Sequence, residues 1–158
     1  MRILGIDPAL RVTGYGALTA DRGKLTLLEG GIVAPNVDDT LEQRLAALYA
    51  GLNAVFASVK PDVVVIEDIY TTYKNPRTAI LMGHARGVMC LAAAQADVPV
   101  QTLGHSRVKS ALVGSGSARK DQVNAMVTHL LGLRKPPKPN DISDALALAI
   151  AWANIVAR

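Results

Sequence analysis

The chain has 158 residues, half of them apolar, and a formal net charge of +4, enough for one domain over residues 1–158 with a continuous core. Its longest apolar runs, such as Ala145 to Ala153, fall short of the roughly 20 residues that cross a bilayer, so no membrane protein is expected. The single cysteine, Cys90, excludes an internal disulfide and a cysteine-rich zinc site, and Asp7 falls where a signal peptide would be apolar, so a cytoplasmic protein is expected.

In chain order, Arg2 to Ile6, Val12 to Ala20 and Lys24 to Val33 carry the composition of three strands, the latter two joined by the turn Asp21-Arg22-Gly23. Short links predict an antiparallel meander. Thr40, with Gln43 three residues on, signals a helix start, and Leu41, Leu45, Leu48, Leu52, Val55, Phe56 and Val59 recur at helical spacing over about five turns. Pro61 and Asp62 end that helix ahead of Val63 to Ile66, an unalternating apolar run of the kind buried on both faces of a sheet. Asn75-Pro76 opens a second helix to about Ala96. Val98 to Leu103 reads as a fifth strand and Ser106 to Val113 as a short helix. Ser117 is expected to cap a helix that runs to Leu131, where Gly132 stops it. The segment Arg134-Lys-Pro-Pro-Lys-Pro139 reads as a stiff basic loop, and Asn140 as the cap of a final, buried helix.

Charge is unevenly spread. Between Lys74 and Lys138 ten Lys and Arg stand against two acids, whereas residues 1–73 carry six bases and nine acids. Such polarity suits a polyanionic partner, most simply nucleic acid.

Four acids stand in apolar settings. Asp7 ends the first strand and Glu67 the fourth, while Asp141 and Asp144 open the last helix. A turn before Pro8 would account for Asp7, and the positive end of a helix dipole for Asp141. Glu67 and Asp144 have no such ordinary explanation, because an unpaired ionised carboxylate in an apolar site tends to protonate instead. Right-handed crossovers place the fourth strand beside the first, so Asp7 and Glu67 should emerge together. Asp141 and Asp144, three apart, share a helix face that could reach them. Asp68 is assigned to solvent. Carboxylates without thiolate or imidazole suit Mg²⁺ or Mn²⁺. Two such ions can activate water and stabilise a leaving oxygen in phosphodiester hydrolysis, which beside a basic surface points to a nuclease. His84, His105 and His129 show no metal-ligand spacing among themselves and read as ordinary surface or core histidines.

Gly5-Ile-Asp7-Pro8 with Thr13-Gly-Tyr-Gly16, Ile66-Glu67, Gly83-His-Ala-Arg-Gly87, Val113-Gly-Ser-Gly116 with Lys120, and Asp141-x-x-Asp144-Ala-Leu-Ala147 follow one another over essentially the whole chain. In order and spacing they closely resemble the RuvC Holliday junction resolvases. The resemblance implies an α/β, ribonuclease H-like fold: a five-stranded mixed sheet, three antiparallel strands then parallel ones, flanked by helices. It further implies a homodimer that nicks two strands of like polarity across four-way junction DNA, leaving 5′-phosphate and 3′-hydroxyl ends, in recombination and repair. Asp7, Glu67, Asp141 and Asp144 match the family's ligands for two divalent ions. Lys109 and Lys120 match basic residues near the cut, Lys120 close enough to steady transition-state charge. Tyr70 matches an aromatic position at the junction centre, with Tyr73 its rival, and Lys74, Arg77 and Arg119 are further DNA contacts expected in the basic half. The spacing Gly83-x-x-x-Gly87 permits close backbone approach, so the second helix is expected at the dimer interface, although packing on its own sheet would explain the glycines as well. A branch-migration motor complex of the RuvA and RuvB type is the implied partner. Where the family commonly has glycine after Asp-Pro, this chain has Ala9.

Two other classes compete. Gly-Ile-Asp near an N-terminus also opens actin-like ATPases and sugar kinases, but those need two such lobes and 158 residues supply one. A non-catalytic junction-binding module would explain the basic half and leave the four carboxylates unexplained.

Overall fold

A computed structural model describes residues 1–69 and 75–157. Five strands form one sheet in the order β3-β2-β1-β4-β5. They are β1 (Arg2–Asp7), β2 (Thr13–Asp21), β3 (Lys24–Val33), β4 (Val63–Glu67) and β5 (Val100–Leu103). The first three are antiparallel, and β4 and β5 run parallel to β1, as expected. The helices are α1 (Leu41–Val59), α2 (Pro76–Gln95), α3 (His105–Val113), α4 (Lys120–Leu130) and α5 (Asn140–Val156). The resulting fold is ribonuclease H-like, a mixed sheet covered on both faces.

Strand periodicity sorts the core into two layers. Ile3, Val63 and Val65 pack with α3, α4 and α5, whereas Leu4, Ile6, Val64 and Ile66 pack with α1 and α2. Side chains of one strand alternate faces, so residues 3, 5 and 7 and residues 63, 65 and 67 all look toward α5. The parallel register pairs Ile6 with Ile66, which brings Asp7 and Glu67 out next to one another at the strand ends.

Two glycines set how closely α5 lies on the sheet. A Cβ at Gly5 would stand 1.9 Å from the Ala145 carbonyl oxygen, and one at Gly14 2.1 Å from that of Asp141. Backbone therefore rests on backbone, and the first turns of α5 descend onto β1 and β2. The β2–β3 turn behaves as the sequence predicts, with Arg22 and Gly23 both at positive φ (45° and 82°). Ala9 is not among the described residues with positive φ. Its loop is held instead by Thr13 Oγ1, which donates to the Ala9 carbonyl, and by the Arg44 guanidinium, which donates to the Leu10 carbonyl at 3.2 Å.

Three helix starts differ from expectation. α4 begins at Lys120, because Ser115 and Ser117 bond to each other (3.0 Å) in a turn closed by Ala118 N–H to the Ser115 carbonyl. Arg119 takes the cap position, and Gln122 Oε1 accepts from its backbone N–H at 2.9 Å. Asn140 is the first helical residue of α5, with Pro139 ahead of it as the cap. α3 starts one residue earlier than predicted, at His105. β5 begins two residues later than predicted, at Val100.

Candidate active site

Beyond the C-terminal ends of β1 and β4 lies a cavity of about 110 Å³. Asp7, Glu67, His105, Lys109, Lys120 and Asp144 give it a polar wall, and Val108, Val123, Ala147 and Leu148 an apolar floor. The six polar residues arrive from five elements. Asp7 and Glu67 end adjacent parallel strands, and Asp144 sits in the first turns of α5. His105 and Lys109, four apart, share a face of α3, and Lys120 opens α4. Asp141 is not part of the cavity wall. It lies at the start of α5 over Gly14, still close enough for its charge to act on Asp7.

Like charges crowd Asp7. Burial first, then the charges of Glu67, Asp144 and Asp141, push its carboxyl from 3.8 up to about 7, against the pull of Lys120. Two of its neighbours have cationic or hydrogen-bonding partners. Lys120 Nζ donates to Asp144 Oδ2 at 2.7 Å, and that bond is the main reason the Lys120 ammonium is held above its ordinary value. His105 Nδ1 lies 2.9 Å from Glu67 Oε1. From the opposite face of the sheet, Arg86 on α2 donates to the Glu67 carbonyl oxygen (3.3 Å) and to Thr102 Oγ1 (2.7 Å), tying the ends of β4 and β5 together.

As the side chains stand, no group of three or more His, Cys, Asp or Glu among the described residues is gathered closely enough to hold an ion. The chemistry of the set nonetheless fits a hard divalent cation. Three carboxylates face one cavity with a fourth beside it, and their mutual repulsion on Asp7 is what such a countercharge relieves.

The structure thus brings together Asp7, Glu67, Asp144, Lys109 and Lys120 of the residues chosen from sequence, with Asp141 at the margin. Arg119 does not join them. Its guanidinium pairs with Asp121 at 3.1 Å on an exposed surface. Arg77 is exposed in the first turn of α2. Tyr70, Tyr73 and Lys74 lie outside the described residues. Asp68 is exposed, as expected. His105, which the sequence reading left as an ordinary surface or core histidine, also lines the cavity beside Glu67. Its place four residues before Lys109 at a helix start was the signal that could have found it.

The family described as Crossover junction endodeoxyribonuclease RuvC matches residues 3–152. A protein of that description from Rhodopirellula baltica is 45% identical over 148 residues, covering 94% of this chain and 83% of the relative. Among solved structures, Thermus thermophilus RuvC in complex with a Holliday junction substrate superposes with a TM-score of 0.93 at 33% identity, covering 99% of this chain and 94% of that one. The yeast mitochondrial Holliday junction resolvase, at 14% identity and a TM-score of 0.67, covering 98% of this chain and 80% of that one, shares the fold. With a match that spans nearly its whole length, this chain belongs to the RuvC family of crossover junction endodeoxyribonucleases.

Proposed function

We propose that this chain resolves four-way DNA junctions by paired symmetric nicks in strands of like polarity, leaving 5′-phosphate and 3′-hydroxyl ends, in recombination and repair. The observation that carries the reading is the arrival of Asp7, Glu67 and Asp144 from three separate elements at one cavity, beside Lys109 and Lys120. Kinship with a Thermus thermophilus protein solved on a Holliday junction supports the substrate.

Asp7, Glu67, Asp141 and Asp144 are the residues that would hold two divalent ions, Mg²⁺ or Mn²⁺. When bound, such ions supply Lewis-acid activation of water and countercharge for the leaving oxygen. The chain's own contribution is positional and electrostatic. Three of its carboxylates face one cavity, and Val108, Val123, Ala147 and Leu148 line that cavity with apolar surface. Lys109 offers a cation to the scissile phosphate. Lys120, bonded to Asp144 at 2.7 Å, would stand where its ammonium could offset the charge that develops at phosphorus. Lys74, Arg77 and Arg119 contribute to the outer phosphate grip, and Tyr70 or its rival Tyr73 stacks at the junction centre.

The homodimer belongs to this reading. On α2 the residues Ile80, Gly83, His84, Gly87 and Leu91 are all exposed, Ile80 at 61% and Leu91 at 51%. A Cβ at Gly83 or Gly87 would meet none of the described residues within 4 Å, so packing among them does not require either glycine. A stripe of apolar and small residues that its own core leaves uncovered suits close pairing with a second copy. The cytoplasm and a branch-migration motor complete the proposed setting. Among the described residues no helix is long and apolar enough to cross a membrane.

The test is cleavage of a labelled four-way junction, with linear duplex as control, in Mg²⁺, Mn²⁺ or chelator. Paired nicks confined to the junction and to metal are expected. Binding without cutting under every condition would instead favour a non-catalytic junction-binding module.

A further inference from the structure

We propose that His105 is a positioning residue for Glu67, holding that carboxylate ready for the cation site. The inference rests on the assignment of Glu67 to that site and deepens it. Glutamate is the longest of the four acids, with one more rotatable bond than aspartate, and Glu67 stands at a free strand end with a quarter of its side chain exposed. Left alone it would sample more rotamers than an aspartate.

The fold supplies the restraint. Register pairs Glu67 with Leu103, so the chain leaving β5 passes beside Glu67 and reaches His105 two residues later. There α3 begins, after Gly104 in extended conformation. That helix is itself anchored, through buried Val108 and Leu112 and through Asn154 Nδ2, which donates to the Ala111 carbonyl at 3.0 Å. His105 Nδ1 is 2.9 Å from Glu67 Oε1. A carboxylate only accepts, so Nδ1 carries the proton in this bond. Among the described residues His105 is the partner of Glu67 Oε1, and none is recorded for Oε2. Hydrogen-bonded partners of ligating carboxylates matter in this way at metal sites generally, and their loss costs about 10- to 100-fold in metal affinity or activity.

The experiment counts bound Mn²⁺ by the loss of its free electron paramagnetic resonance signal, on the full chain without DNA. It compares the unaltered protein, His105→Ala, His105→Asn and Glu67→Gln. Asparagine places its Nδ2 on Cγ, where histidine has Nδ1, and can donate the same bond. His105→Ala should weaken Mn²⁺ binding about 10- to 100-fold, His105→Asn should restore most of it, and junction affinity in chelator should be unchanged in both. Because the His105 side chain is 62% exposed, neither replacement disturbs the core. Normal Mn²⁺ binding by His105→Ala, with Glu67→Gln defective, overturns the positioning role and leaves Glu67 in the site. Failure of asparagine to rescue overturns the tether as its physical basis. Normal binding by Glu67→Gln overturns both the inference and the assignment beneath it.

Discussion

Lys120 Nζ reaches Asp144 Oδ2 at 2.7 Å, joining the first residue of α4 to the first turns of α5 across the mouth of the carboxylate cavity. The bond neutralises one acid of a crowded set without burying the cation, whose side chain stays 58% exposed. Both partners can therefore exchange it for other contacts. On the proposed mechanism, Lys120→Ala lowers the cleavage rate about 10²- to 10³-fold with little change in junction affinity. Lys120→Arg recovers only part, because a planar guanidinium does not reproduce a compact ammonium. Single-turnover cleavage of a pre-bound junction separates the two effects.

Asp7 gives the metal-free protein a specific pH dependence. Below about pH 4 its carboxyl is protonated in folded and unfolded chains alike. Between pH 4 and its folded value of about 7, the unfolded chain has released a proton that the folded chain keeps. Stability therefore falls as pH rises through that window and reaches its floor above it. Thermal melts in chelator should show this decline. Asp7→Asn should flatten it and stabilise the chelated protein at pH 8 by on the order of 2 kcal/mol. The same variant should bind junctions and fail to cut them. A variant that loses both would assign Asp7 to the fold instead.

Gly5→Ala tests the seat of α5. A methyl group 1.9 Å from the Ala145 carbonyl cannot be relieved by a rotamer change, since the obstacle is backbone. The expected cost is about 3 kcal/mol or more, read as a lower urea midpoint. Gly87→Ala, where an added Cβ meets nothing within 4 Å, should be neutral or slightly stabilising in the isolated chain.

The exposed stripe on α2 predicts the oligomeric state. Ile80→Glu combined with Leu91→Glu should convert a dimer to a monomer by light scattering while leaving the circular dichroism spectrum intact. A double variant that remains dimeric would move the interface elsewhere.

Much of this site was legible because strand parity is a strict rule. Once Arg2 to Ile6 and Val63 to Ile66 are read as parallel neighbours, Asp7 and Glu67 must leave the sheet together on one face. The arrival of α5 was less certain from sequence, since it depends on Gly5 and Gly14 being bare toward a helix more than a hundred residues away. Helix starts were misplaced where serine and asparagine found other work. Ser117 is taken up by Ser115 in a turn, and Pro139 displaces Asn140 from the cap. His105 escaped notice because its place beside Glu67 comes from the β4–β5 register and not from its spacing to any other histidine.

The Gly5 and Gly14 contacts also bear on how the geometry of the candidate site survives change. Most helix-on-sheet interfaces are cushioned by side chains, and each replacement in the cushion shifts the two layers by fractions of an ångström. Here the joint under Asp141 and Ala145 has no shim: peptide groups meet peptide groups, whose dimensions are the same whatever the neighbouring side chains are. Drift elsewhere in the core can alter stability while the span between the strand-end acids and the helix-borne acids stays at one fixed gauge.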